Sequence, residues 1–368
     1  MDFSFSSDQQ LLRGSARAFL DQHVTPAHAR ALWDDPRGES SALWKEMAQL
    51  GWLGLALPED AGGSALGLVE TAILQEELGR AACPSPYLPT VLAALAIADA
   101  GSPQQQKRWL PAIATGGARA SVALMERDLD WGAASVQTRA EASGGGFRLS
   151  GVKQFVPWAH VADVVLVPAT AGGAVALFLV DAGAPGVKVT PLTGMDPGTR
   201  MASLSLDGAL VPGDARFGDA AAIDRIVQRG AVAACAEMLG AARRCLDMAV
   251  EYAKVREQFG QPIGSFQAIR HKCAEMLVEV ENSHAATYYA AWALDHDADD
   301  APLAASVAKA YVNDAARKVC GEAIQVHGGI GFTWEYDLHL YFKRAKALEP
   351  MYGDADWHRE QVLRRVAR

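Results

Sequence analysis

Apolar residues step by three and four at both ends of the chain and fall in short runs or alternate in its middle, a pattern that predicts helix, then β, then helix. Near the start, Leu11, Leu12, Ala16 and Phe19 recur at helical spacing behind Ser7-Asp8, which offers an N-cap. Trp44, Met47, Leu50 and Leu53 continue the pattern as far as Leu57-Pro58, where the turn-rich stretch Pro58-Glu59-Asp60-Ala61-Gly62-Gly63 interrupts it. Further helices are expected from about Leu66 to Arg80, Ala93 to Ala100 and Pro103 to Ile113. The middle changes character: Gly144-Gly145-Gly146 reads as a hairpin tip between Val136–Ala142 and Phe147–Ser150. Val164–Val167, Ala174–Val180, Val187–Pro191 and Ser203–Leu206 have strand length, and Pro212-Gly213 closes the series. Short strands at this spacing suggest a small barrel or sandwich. Beyond about 220, Val232, Cys235, Leu239, Ala242, Leu246, Ala249 and Ala253 form one long apolar stripe. Phe266 to Val280 and Ala308 to Val326 form two more, long enough for an antiparallel bundle. The expected domains are 1–118 (N-terminal helical), 119–215 (β-barrel or sandwich) and 216–368 (C-terminal helical bundle), a mainly α chain with a β-domain.

Composition narrows the function. The 368 residues carry a formal charge of −9, which argues against non-specific nucleic-acid binding and a basic membrane-surface face. No apolar run approaches the roughly 20 residues that span a bilayer, and Met1-Asp2-Phe3-Ser4 lacks the basic and apolar regions of a signal peptide. The five cysteines are scattered, without a C-x-x-C pair, as in a reducing cytoplasm. The histidines, His271, His284 and His327 among them, lack metal-ligand spacing, so no metal is expected.

Three motifs carry more. Arg256-Glu257-Gln258-Phe259-Gly260-Gln261-Pro262-Ile263 is followed by Phe266-Gln267, and Gln325-Val326-His327-Gly328-Gly329-Ile330-Gly331-Phe332 by Glu335-Tyr336. With Pro58–Gly63 and Glu76-Glu77-Leu78, they resemble the signatures of the acyl-CoA dehydrogenases, in the same order and over essentially the whole chain. The resemblance implies a three-domain fold ending in a four-helix bundle, a dimer or tetramer, and FAD between β-domain and bundle with its tail crossing the subunit interface. It implies removal of an α-proton and a β-hydride from an acyl-CoA, with an electron-transfer flavoprotein as the usual acceptor; Trp158, read as an exposed aromatic, is the candidate contact for it. Arg256 supplies the fork geometry that a diphosphate needs. Gly328, Gly329 and Gly331 let backbone N–H groups approach it, and Gln325 could bond the tail. With Gln258 and Phe259, these are the candidate cofactor residues. The plainer alternative is a salt bridge at Arg256 and glycines that simply end a helix.

Measured against that family, the reactive half departs. Ungapped counting puts the usual base glutamate on Tyr352, a phenol whose ordinary pKa of about 10 makes it a poor base at neutral pH. A second family position for the base falls on Gly230. Glu237 and Asp354 are the weak alternatives: Glu237 as a buried carboxyl of raised pKa or a hydrogen-bonded core group, Asp354 as a base or a cap. Of the flavin-ring pattern only Glu126 survives, with Met125, Arg127, Trp131 and Gly132 replacing other residues and Phe155-Val156-Pro157 standing where the family has Trp-Ile-Thr. Proline has neither N–H nor hydroxyl to offer a ring. Residues for a neighbour's flavin tail are kept and those for the chain's own ring and base are changed. The pattern resembles the divergent subunits of bacterial heteromeric acyl-CoA dehydrogenases, known from steroid side-chain breakdown. It implies a homologous partner subunit that completes a shared FAD site. A self-sufficient homo-oligomer with a displaced base and a non-enzymatic scaffold are the other two readings.

Overall fold

The computed structural model describes residues 4–367, so the Met1–Phe3 start lies outside the described residues. The chain falls into two compact units. One comprises residues up to Ala31, Leu68–Cys83 and everything from Ala231 onward; the other comprises Leu32–Gly67 and Pro84–Gly230. The N-terminal helices are thus shared between the two.

The first unit is helical. Its elements are α1 (Ser7–His23), α4 (Leu68–Arg80), the later part of α7 (Ala220–Val255), α8 (Gln267–Asp295), α9 (Ala301–His327), α10 (Leu338–Leu348) and α11 (Ala355–Val366). The N-cap of α1 is Ser6 rather than the expected Ser7-Asp8: its hydroxyl takes the Gln9 N–H while Gln9 reaches back to the Ser6 N–H, a capping box. α4 and α7 touch backbone to backbone. A Cβ on Gly79 would lie 2.0 Å from the Glu237 carbonyl oxygen, and one on Gly240 1.9 Å from that of Glu76. This contact buries Gln75, Glu76 and Glu77 on α4, and their charges are met locally. Glu77 takes Arg13 at 3.3 Å and Arg17 at 2.6 Å, and Glu76 takes Arg13, Arg243 and the Tyr288 hydroxyl.

The second unit holds α3 (Ser41–Gln49), α5 (Tyr87–Ala100), α6 (Pro103–Ala114) and the sheet. α2 (Pro26–Asp34), short and only partly buried, was not expected from the pattern. The strands are β1 (Ala120–Val122), β2 (Arg139–Ser143), β3 (Gly146–Pro157), β4 (Val164–Ala171), β5 (Ala174–Asp181), β6 (Val187–Leu192), β7 (Met201–Pro212) and β8 (Arg216–Phe217). They run in the order β6-β7-β3-β2-β4-β5-β8, with β1 parallel to β4. The expected glycine hairpin is present: Gly144 and Gly145 take φ of +57° and +83° between β2 and β3. β3 and β7 run far past the short stretches read in the sequence. No helix among the described residues is long and apolar enough to cross a membrane.

Candidate functional site

Two signature motifs meet at one corner of the helical unit. α7 ends at Val255, and Glu257–Gln258 pairs with Gln261–Pro262 in a small hairpin whose tip carries Phe259. α9 ends at His327, and Gly328 turns the chain with φ +63° and ψ −139°, a conformation open to glycine alone. An aromatic stack joins these ends. Tyr252, one turn before Arg256, lies 4.3 Å from His327, whose ring also meets Tyr336. The Ala323 carbonyl accepts at 2.7 Å from His327 Nδ1, so that nitrogen carries the proton and Nε2 accepts from the Tyr336 hydroxyl at 3.1 Å. Burial lowers the His327 pKa, which keeps the ring neutral in this role.

Around this rigid stack the predicted cofactor residues stand outward. Arg256, Gln258, Gln325 and Gly329 are exposed, and Phe259 is 92% exposed. Gln258 donates to its neighbour Glu257's carbonyl, and Arg256 has no side-chain partner among the described residues. A Cβ on Gly328 or Gly329 would meet nothing within 4 Å, so their bare backbone faces open space. A guanidinium, amides and uncovered glycine backbone make a donor set suited to a diphosphate.

The position expected to carry the base is built differently. Tyr352 lies in the turn between α10 and α11, 2% exposed and with φ +58°. Burial, then the charge of Glu237, raises its phenol pKa far above the usual value, the wrong direction for a base. The turn is held on every side. Lys309 donates to the Leu348 and Glu349 carbonyls and to Asn313 Oδ1 at 2.7–3.1 Å, and His358 Nε2 donates to the Tyr352 carbonyl at 2.9 Å. Burial pulls the Lys309 pKa down to about 8. Asp354 is the N-cap of α11, its Oδ1 accepting from the Trp357 N–H at 2.8 Å. Glu237 is committed as well. Arg344 donates to its Oε1 at 2.8 Å, and Gln75 donates to its Oε2. Of the two readings of Glu237, the structure has the hydrogen-bonded core group, as one side of an internal ion pair.

In the second unit, Glu126 is buried against Lys153, 2.5 Å away, and accepts from the Thr138 N–H and hydroxyl and the Gln137 N–H. Burial opposes its ionisation, but the Lys153 ammonium and these donors outweigh it and hold its pKa below the usual carboxylate value. Met125 and Trp131 are buried, and Pro157 ends β3. Trp158 is also buried, at 3% exposure, with its ring beside His160. The expected exposed contact aromatic is therefore absent there: the left-handed backbone at Trp158 (φ +55°) turns the indole inward. No His, Cys, Asp or Glu cluster among the described residues has a metal-binding arrangement. Periodicity could not have found the Arg344–Glu237 pair or the Tyr252–His327 stack, since both join distant segments.

Comparison with known proteins places this architecture among flavoproteins that oxidise acyl-CoA thioesters. Three family models match in order: acyl-CoA dehydrogenase N-terminal domain over residues 6–117, middle domain over 121–208 and C-terminal domain over 219–367. The chain belongs to the acyl-CoA dehydrogenase family, FAD-dependent oxidoreductases acting on CH–CH bonds. It is 34% identical to acyl-CoA dehydrogenase FadE27 of Mycobacterium tuberculosis, over 100% of this chain and 99% of that protein. It superposes on a chain of the ChsE4-ChsE5 complex from Mycobacterium tuberculosis with a TM-score of 0.93 at 33% identity, covering 100% and 99% of the two chains. For a variant of the Tcur3481-Tcur3483 steroid ACAD the TM-score is 0.90 at 35% identity, covering 98% of each chain.

Proposed function

We propose that this chain is the base-lacking half of a heteromeric acyl-CoA dehydrogenase, in which it completes the FAD site of a homologous partner that carries the base. The observation that carries this reading is the contrast between two places in one unit. At the base position stands a buried tyrosine, and Glu237 in the same core is neutralised by Arg344. At the other corner Arg256, Gln258, Phe259, Gln325 and Gly329 remain exposed on a scaffold fixed by the Tyr252–His327 stack. Similarity to a chain of the ChsE4-ChsE5 complex and to a steroid ACAD supports a two-component assembly and a bulky, steroid-type acyl thioester. The domain limits 1–118, 119–215 and 216–368, a cytoplasmic location and electron-transfer flavoprotein as acceptor belong to the same proposal.

In this scheme the FAD supplies the acceptor for the hydride leaving the β-carbon. Arg256 would hold the diphosphate by paired N–H donors, Gln258 and Gln325 would bond the tail, and Gly328 and Gly329 would let it lie against the backbone. Phe259 would cover it from water. Removal of the α-proton falls to a carboxylate of the partner.

The test is co-expression with a homologous subunit, followed by a flavin count and a desaturation assay with an artificial acceptor. The expected result is little flavin and no turnover for this chain alone, and one flavin per heterodimer with turnover in the complex. Full flavin occupancy and activity in the isolated chain would end the proposal. Within the complex, Arg256→Gln is expected to weaken FAD retention about 10-fold, the size of one charge-assisted hydrogen bond. Flavin release during gel filtration at graded dilution measures it, and unchanged retention would remove Arg256 from the site.

A further inference from the structure

A second cationic site lies in the β-bearing unit. There Glu126, Arg127, Thr138, Arg139, Gly151 and Val152 help to line a cleft of about 430 Å³, a volume in the usual range for a small-molecule site. Its construction follows from the Glu126 bonds. Because the Glu126 carboxylate accepts from the Gln137 N–H (3.0 Å) and from the Thr138 N–H (3.0 Å) and hydroxyl (2.8 Å), it clamps its own segment to the start of β2. The next residue on each segment is an arginine. Burial alternates along residues 137–141 and switches from buried to exposed between Glu126 and Arg127, so Glu126 and Thr138 are buried while Arg127 and Arg139 are exposed and line one cleft. Gly151 lets β3 approach Thr138 closely, since a Cβ there would fall 2.5 Å from Thr138 Oγ1.

Charge decides what the cleft can hold. The acid in its floor, Glu126, is offset by Lys153, a buried ammonium. The neighbouring exposed acid Asp128 accepts from Gln137 Nε2 at 3.2 Å, and Glu141, two residues along β2, stands across from Arg148 on β3. Neither Arg127 nor Arg139 has an ion-pair or hydrogen-bond partner for its guanidinium among the described residues. Two unpaired guanidiniums lining one cleft, in a chain of net charge −9, favour an anion over a cation there. Fork-shaped donors match phosphate oxygens two at a time. A lone phosphate would leave most of the cleft empty, whereas a nucleotide has the bulk to fill it.

We propose that this cleft binds the phosphate-bearing part of a nucleotide, with Arg127 and Arg139 gripping the phosphate. The assignment does not depend on the partner-subunit reading, because it concerns this chain alone. The test is calorimetric titration of the full chain with ADP, CoA and inorganic phosphate, for the wild type and for Arg127→Gln and Arg139→Gln. ADP or CoA binding that falls about 10-fold with each cleft substitution is the expected result. Tighter binding of CoA than of ADP assigns the cleft to the nucleotide end of a thioester, and the reverse order to a free nucleotide. Both variants alter exposed side chains, and an unchanged melting temperature verifies their fold. Three outcomes overturn the proposal: no ADP or CoA binding by the wild type, binding unchanged in both cleft variants, or inorganic phosphate binding as tightly as either nucleotide.

Discussion

Arg344→Met is expected to destabilise the protein by about 3–5 kcal/mol, the cost of leaving one member of a buried ion pair without its partner. Arg344 sits on α10 with 2% exposure and donates to Glu237 Oε1 at 2.8 Å, to the Cys83 carbonyl at 3.1 Å and to the Ala82 carbonyl at 3.3 Å. It therefore neutralises a carboxylate on α7 and closes the C-terminal end of α4, where Ala82 takes a left-handed φ of +46°. Methionine fills similar volume, so cavity formation is small and the loss is electrostatic and polar. Gln75 still donates to the Glu237 carboxylate, but its neutral amide does not offset the charge. Urea unfolding at neutral pH measures the effect. The double variant Glu237→Gln, Arg344→Met is expected to recover more than half of it, because the uncompensated charge is gone. A double variant no more stable than the single one would show that the carbonyl contacts, not the ion pair, dominate. The same pair bears on chemistry. If Glu237 served as a displaced base, Glu237→Gln would abolish turnover of the complex; unchanged turnover is expected.

The parts of this fold visible in the sequence are those whose information is local. The stripes from Val232 to Ala253 and from Ala308 to Val326 mark α7 and α9 because a buried helix face repeats every three or four residues. Gly144-Gly145 marks its hairpin because the turn needs positive φ. Strand lengths were less legible. β3 was read as four residues, whereas it runs through the polar Gly151–Gln154 stretch, whose only signal is pairing with β7. β1 is three buried residues identified by its parallel neighbour β4. The candidate site divides in the same way. Arg256 to Phe259 and Gln325 to Gly329 could be named from motifs. That Glu237 belongs to Arg344, 107 residues away, is long-range packing with no local trace. Trp158 is buried rather than exposed, and the left-handed backbone that carries it leaves no local trace in the sequence.

Acidification is expected to expose a second weak point, the turn between α10 and α11 on which ungapped counting places the family's base position. His358 is 2% exposed; its Nε2–H donates to the Tyr352 carbonyl, and its Nδ1 is buried with no hydrogen-bond partner. Burial, aided by the nearby Lys309 charge, lowers its pKa to about 4 against an ordinary 6.5. Asp354 and the Tyr352 carbonyl favour the charged form, Arg365 opposes it, and the balance lies with the neutral ring. The sign follows from proton counting. Between pH 6.5 and 4 the unfolded chain holds a proton on this histidine that the native chain does not, so stability falls as pH falls through that window. A shift of this size corresponds to about 3 kcal/mol, fully present above pH 6.5 and lost near pH 4. Protonating Nδ1 would bury a charged donor beside Lys309, which also holds this turn through the Leu348 and Glu349 carbonyls. His358→Gln keeps an N–H donor for the Tyr352 carbonyl without a titrating ring. Urea midpoints from pH 7.5 to 4.5 should therefore fall less steeply for the variant, while the carboxylates contribute equally to both proteins. Superimposable acid limbs for the two would mean that His358 does not carry the loss.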